Sequence, residues 1–313
     1  MFSEDLNCVL SGMALPPRVP FKAWADSNYA LRRSPAATAA VAHLTNYLRP
    51  LYKKQHALWP RSTPTLITAP EREFVDGHVL TFPAPGIISL CRKHLEITTP
   101  AVIKAATALL IMHHTKHTHA LFSHLEAQRA RFPFVPSSVS LLGDFDAADV
   151  AGPTISGVID LLALRPDETV LQFIRRVQDE QTQLTQFAGV PWHEVVSQLG
   201  SSVEDVLLQA TDTFIFNWMP GLSAKAGGRN PHSHIKVEQI HIRTRLGMVF
   251  SVEMGGSDGS QVVMLLHGSL SNMSTNGITS VGEEVRRIIL WLVESESWDL
   301  PVEDFKKIFK DSE

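Results

Sequence analysis

From residue 79 onward the chain alternates strand-like and helix-like runs, and this alternation constrains the fold more than any other feature of the sequence. Runs at 79–82, 120–125, 154–164, 213–218, 237–243, 248–254 and 261–267 are rich in β-branched and aromatic residues and are predicted as strands. Between them, apolar residues recur at helical spacing. A short helix is expected at 86–95. Thr99-Pro100 opens a strongly apolar helix with Val102, Ile103, Ala106, Leu109 and Leu110 on one side. A long amphipathic helix buries Val170, Phe173, Ile174, Val177, Leu184 and Phe187, and a short one runs from Pro191 to a stop at Gly200. Ser280 and Glu283 form a capping box for a helix over 281–294, and Pro301 starts a final short helix. This order predicts a layered α/β domain with a mixed β-sheet.

The first 78 residues read differently. Apolar patches over 1–33 are broken by Pro16, Pro17 and Pro20 and close on Phe21, Trp24 and Tyr29. Ser34-Pro35 then supplies an N-cap and a first-turn proline for a helix with the stripe Val41, Leu44, Tyr47, Leu48 and Leu51. Pro60, Pro64 and Pro70 mark the stretch after it as a connection. The expected division is a crossing or linker segment with one helix over 1–78 and a main domain over 79–313.

Composition excludes several classes of function. A length of 313 residues with 44% hydrophobic content supports a large core. With 28 Lys+Arg against 32 Asp+Glu the net charge is −4, so there is no broad positive field, and neither nucleic acid nor a membrane is an expected partner. No apolar run reaches the ~18–20 residues of a transmembrane helix. Cys8 and Cys91 are too few for a disulfide framework. The N-terminal residues read as neither a signal nor a transit peptide, and the expectation is a cytoplasmic protein.

Familiar catalytic motifs are absent. There is no phosphate-binding or dinucleotide-binding glycine loop, no HExxH and no GxSxG. Gly255-Gly256-Ser257-Asp258-Gly259 reads as a hairpin turn. Histidine is the unusual residue, 14 in all, with five at 113, 114, 117, 119 and 124. His113 and His117 share a helix face at metal-ligand spacing, but the helix ends there and Glu126 is the nearest carboxylate. The reading is therefore a polar helix end, with no metal and no cofactor expected. His232 and His234 read as loop residues, and His193 as packing or capping. His267 and Asp160 interrupt apolar strands and are expected to be satisfied polar groups inside the sheet. Asn217-Trp218-Met219-Pro220 ends a strand beside a loop, where pockets are often lined.

Six blocks, in order, resemble the C-terminal part of the condensation domains of fungal nonribosomal peptide synthetases, in the chloramphenicol-acetyltransferase-like superfamily. Leu15-Pro16-Pro17-Arg18-Val19-Pro20-Phe21 through Asp26 is similar to the segment that crosses between lobes. The helix over 99–112 with Ala120-Leu121-Phe122-Ser123-His124-Leu125 resembles a helix and strand of the second lobe. Ala151-Gly152-Pro153-Thr154-Ile155-Ser156, the helix over 166–178, Val190-Pro191-Trp192-His193-Glu194-Val195 and the strand ending at Trp218 resemble the blocks that follow. The implied fold is an α/β, chloramphenicol-acetyltransferase-like C-terminal lobe.

The family's catalytic HHxxxDG lies upstream of the first matching block, and His113-His114 lacks the Asp-Gly and sits on the wrong helix. The resemblance therefore implies a lobe without the acyl-transfer histidine. It would bind a hydrophobic polyketide or peptide intermediate and shape it for cyclisation, isomerisation or a pericyclic step. Ser123, His124, Ser156, Asn217, Trp218 and Glu253 are its candidate substrate-binding residues. Two alternatives stand beside it. One is a split lobe or docking module for a carrier protein or synthase, with a homodimer as one way to cover its surface; the other is a fragment of a conventional amide- or ester-forming domain.

Overall fold

A helix that is apolar on every side can only be stable with protein all round it. In the computed structural model, Thr99–Thr115 (α5 below) is such a helix, and residues 101–112 are buried without a break. The single apolar side expected for it is thus too narrow. The described residues are 2–15, 17–60, 77–127, 150–151, 155–187, 190, 192–219, 247–256, 258–268 and 274–312. The expected strand at 237–243, His232 and His234 lie outside them.

The chain forms α1 (Phe2–Leu10), β1 (Val19–Pro20), α2 (Phe21–Arg32), α3 (Pro35–Leu48), β2 (His78–Pro83), α4 (Pro85–Lys93), α5, β3 (His119–Ala127), β4 (Val150–Ala151) and β5 (Ile155–Ala163). It continues through α6 (Val170–Phe187), α7 (Trp192–Leu199), α8 (Ser201–Thr213), β6 (Phe214–Trp218), β7 (Met248–Gly255), β8 (Gln261–Gly268) and α9 (Thr275–Val293), and closes on a 3-10 stretch, Val302–Ser312. Among the described residues, six strands make one mixed sheet in the order β2-β8-β7-β6-β3-β5. β6 runs parallel to both β3 and β7, while the β2–β8, β7–β8 and β3–β5 pairs are antiparallel. The expected mixed sheet layered with helices is the architecture observed.

Alternation along the strands divides the side chains between two faces. Phe122, Phe214, Phe216, Phe250 and Met264 join α5, α6 and α9 in the larger core. Leu121 and Ile159, on the opposite face, pack with α3, α7 and α8 in a second core. The stretch 1–78, read as holding one helix, holds three α-helices among its described residues, and α3 belongs to that second core.

Two helix boundaries also differ from expectation. Gly200, at φ +84°, ends α7 as expected but leads directly into α8. The stripe Val203, Val206, Leu207 and Ala210 is the helical signal for it. α9 starts earlier than the Ser280 capping box: Ser274 is the cap, accepting from the Gly277 N–H at 3.2 Å, while Ser280 lies inside the helix and donates to Glu284 at 3.2 Å. Burial of Ile278 explains this, because the apolar stripe continues one turn before Ser280.

The outer strand β5 would offer unpaired backbone groups along its free edge. Side chains meet three of them. The Tyr47 hydroxyl accepts from the Leu161 N–H at 2.7 Å, Trp192 Nε1 donates to the Gly157 carbonyl at 3.0 Å, and Arg176 donates to the Ala163 carbonyl at 2.6 Å. These bonds tie α3, α7 and α6 to the sheet edge.

Candidate functional site

The six candidate residues do not share one surface. Ser123, Asn217 and Glu253 point to the face opposite α5, whereas His124, Ser156 and Trp218 point to the α5 face. Neighbours in sequence such as Ser123 and His124 are separated by the pleat itself.

On the α5 face, His124 sits in a buried charge network. α5 contributes Lys104, fully buried, and β5 contributes Asp160, 1% exposed. His124 Nδ1 donates to Asp160 Oδ2, and its Nε2 donates to Glu126 Oε1 at 3.0 Å. Lys104 Nζ donates to Asp160 Oδ1 at 3.3 Å, and Thr185 of α6 donates to Glu126 at 2.9 Å. With both ring nitrogens aimed at carboxylates, the geometry is that of an imidazolium. Two cations then balance two carboxylates, which is what allows such a cluster to be buried. The expectation that Asp160 is a satisfied group inside the sheet fits this arrangement. Lys104 carries no sequence signal beyond being the lone charge within a buried helix. Trp218 packs partly buried on the same core, and Ser156 is half-buried opposite Glu126.

Burial opposes charge on His124, but Asp160 nearby and hydrogen bonds to Asp160 and Glu126 raise its pKa above the usual 6.5. Asp160 and Glu126 are likewise opposed by burial, yet His124 and Lys104 hold them below 3.8 and 4.5 respectively. The stability contributed by His124 is therefore fully present below pH 6.5 and lost as pH rises through its raised value. That of the two carboxylates is present above 4.5 and lost as pH falls through their lowered values. His119 and His267, pushed below 6.5 by burial, act in the opposite sense, so the network is isolated by a difference. The unfolding free energies of the native chain and a His124→Gln variant should differ most between pH 4.5 and 6.5 and converge above 6.5. Urea titrations across pH would measure this, and a gap that widens above neutrality would contradict it.

On the opposite face, four adjoining strands, β8, β7, β6 and β3, carry a largely buried polar strip. Ser123 donates to the Phe214 carbonyl at 3.3 Å, and Asn217 Nδ2 donates to Ser251 Oγ at 3.3 Å from the next strand. Ser251 and Glu253 are 2% and 0% exposed on β7. His267 on β8 is also buried, and its Nε2 has no hydrogen-bond partner among the described residues. The expectation of a satisfied His267 is thus corrected. Ser251 and His267 extend the strip beyond the residues expected from sequence, and their alternation with Phe250, Val252 and Leu266 is the signal for them.

The other histidines lie elsewhere. His113 packs on Phe309, His114 binds Glu284 at 2.6 Å, and the helix ends at Lys116 before His117. Among the described residues no group of three or more metal-ligating side chains converges. His193 is exposed, so packing is not its role.

No family profile and no curated protein matches the chain. Solved structures do. The first condensation domain of the calcium-dependent antibiotic synthetase, in complex with a substrate analogue, superposes with a TM-score of 0.61 at 14% identity, covering 95% of this chain. The fold is that of a condensation domain. A second structure of that domain gives 0.58 at 13% identity over 95% of this chain. A four-domain nonribosomal peptide synthetase bound to AMP and glycine gives 0.54 at 13% identity, covering 82% of this chain and 19% of that one. This chain spans 61% of the length of the two single condensation domains. Among the described residues, no helix of this condensation-domain-like chain is long and apolar enough to cross a membrane.

Proposed function

We propose that the chain is the second lobe of a condensation-domain-like protein of secondary metabolism, and that the polar strip opposite α5 binds a hydrophobic peptide or polyketide intermediate. The observation that carries this reading is the strip itself. Ser251, Glu253 and His267 are buried and Asn217 half-buried on one face of an otherwise apolar sheet, and His267 Nε2 has no hydrogen-bond partner among the described residues. A buried nitrogen without a partner costs stability, and a ligand bound in the strip would supply one. Burial holds His267 below its usual 6.5, so it is a neutral hydrogen-bonding and acid–base group at pH 7. Such a face can accelerate cyclisation or isomerisation by orientation and a few hydrogen bonds, without a nucleophile. The intermediate would arrive on a carrier protein, in keeping with the synthetase setting of the four-domain neighbour.

Titrating the purified chain with decanoyl-pantetheine by calorimetry tests this. Asn217→Ala and His267→Ala should each weaken binding about two- to ten-fold, as loss of one hydrogen bond does. His193→Ala, at an exposed site, should leave it unchanged. Equal binding by all four proteins would remove the strip from the site. Absence of saturable binding would favour a second reading, a docking module. Val9, Leu10, Met13, Leu15 and Tyr29, each more than half exposed on and around α1 and α2, support that reading as an apolar surface able to meet another protein.

A further inference from the structure

A cleft of about 510 Å³ opens along the free edge of β5, between α3 and α6 and away from the polar strip. Its apolar lining comes from Leu161, Leu184 and Pro50. Charges of both signs line it, and Arg165 and Arg176 are turned to Glu180 at 4.0 and 2.8 Å. Lys54, just after α3, lines one side, and Asp179 of α6 lines the other. Neither side chain makes an ion pair among the described residues. The second acid of that side, Glu180, is already spent on Arg176 at 2.8 Å. His119 adds hydrogen-bonding capacity but little charge, because burial and the neighbouring Lys54, His56 and His117 disfavour its protonation.

Tyr47 makes the cleft more than a pair of charges. Its hydroxyl oxygen is occupied by the Leu161 N–H, yet its own hydrogen has no acceptor among the described residues. Burial, with Asp160 nearby, raises its pKa well above 10.0, so the hydroxyl remains a donor at every physiological pH. An O–H donor and an ammonium lining the same cleft match a carboxylate, and the Asp179 carboxylate in that lining matches an amine. The apolar lining between them suits an uncharged side chain.

We propose that this cleft binds a zwitterionic α-amino acid with an apolar side chain, its carboxylate on Tyr47 and Lys54 and its ammonium on Asp179. The site is separate from the polar strip and does not depend on the function proposed for it.

Calorimetric titration of the full chain with L-phenylalanine tests the proposal, with three companion probes: N-acetyl-L-phenylalanine, L-phenylalanine amide and inorganic phosphate. Saturable binding of L-phenylalanine is expected, weakened at least about five-fold in Lys54→Met and in Asp179→Asn, the effect of removing one charged contact. The N-acetyl and amide probes, each lacking one charge, should lose affinity to a similar extent, and His193→Ala, at an exposed site, should bind L-phenylalanine as the native chain does. Failure of L-phenylalanine to saturate overturns the proposal. So does equal binding of phosphate or the N-acetyl probe, which would make the cleft a general anion site. An Asp179→Asn variant with native affinity would overturn it as well.

Discussion

An Asp160→Ala chain is expected to lose about 3–5 kcal/mol of folding stability, the cost of leaving a buried ion without its partner. Asp160 is 1% exposed and holds together two cations from different elements, Lys104 on α5 and His124 on β3. Without it, His124 can shed its proton, but Lys104 remains fully buried in the middle of the central helix. Lys104 then either carries an unpaired charge or surrenders its proton in an apolar surround, and both cost free energy. Urea unfolding followed by circular dichroism measures the loss. A double variant, Asp160→Ala with Lys104→Met, separates the causes. Because Met fills the volume of the lysine stem without a charge, it should recover most of the stability. A single-variant loss below about 1 kcal/mol, or no recovery in the double variant, would show that the network carries little of the folding energy.

Phe214→Ala should be comparably severe, at about 3–5 kcal/mol, for a reason without electrostatics. Phe214 is fully buried at the first position of β6, a central strand bonded to β3 and β7. Its ring meets Phe122 and Phe250 edge-on with centroids 6.3 Å apart in both pairs, and Trp59 at 6.2 Å. Truncation removes the apolar contact and leaves a void that three aromatic rings on fixed strands and turns cannot close. The control is Leu95→Ala, whose side chain is 86% exposed and should change stability by less than about 0.5 kcal/mol. Similar unfolding midpoints for the two variants would refute the assignment of Phe214 to the packing centre.

Much of the architecture was legible in the residues. α3, α6 and the strands around 120–125, 154–164 and 248–267 follow their apolar periodicity closely. The misses have local causes. Gly200 reads as a terminus in the sequence, yet the same glycine turns the chain into α8. Ser280 and Glu283 imitate a cap inside α9, which Ser274 begins. The six candidate residues divide between the two faces of the sheet, Ser123, Asn217 and Glu253 on one and His124, Ser156 and Trp218 on the other, a division that strand alternation fixes only once the strands are placed.

The pattern of apolar residues by itself determined that this chain would layer helices on a mixed sheet, because period and burial are properties of each segment alone. It marked one apolar side of α5, whereas its burial on every side came from the tertiary structure. Only the tertiary structure decided what the polar residues do. A strand presents consecutive side chains to opposite faces, so whether Ser123 or His124 meets charged partners depends on which elements cover each face. Lys104, His124 and Asp160 come from three elements, and their charges can be buried only because the sheet and α5 bring them within hydrogen-bonding distance.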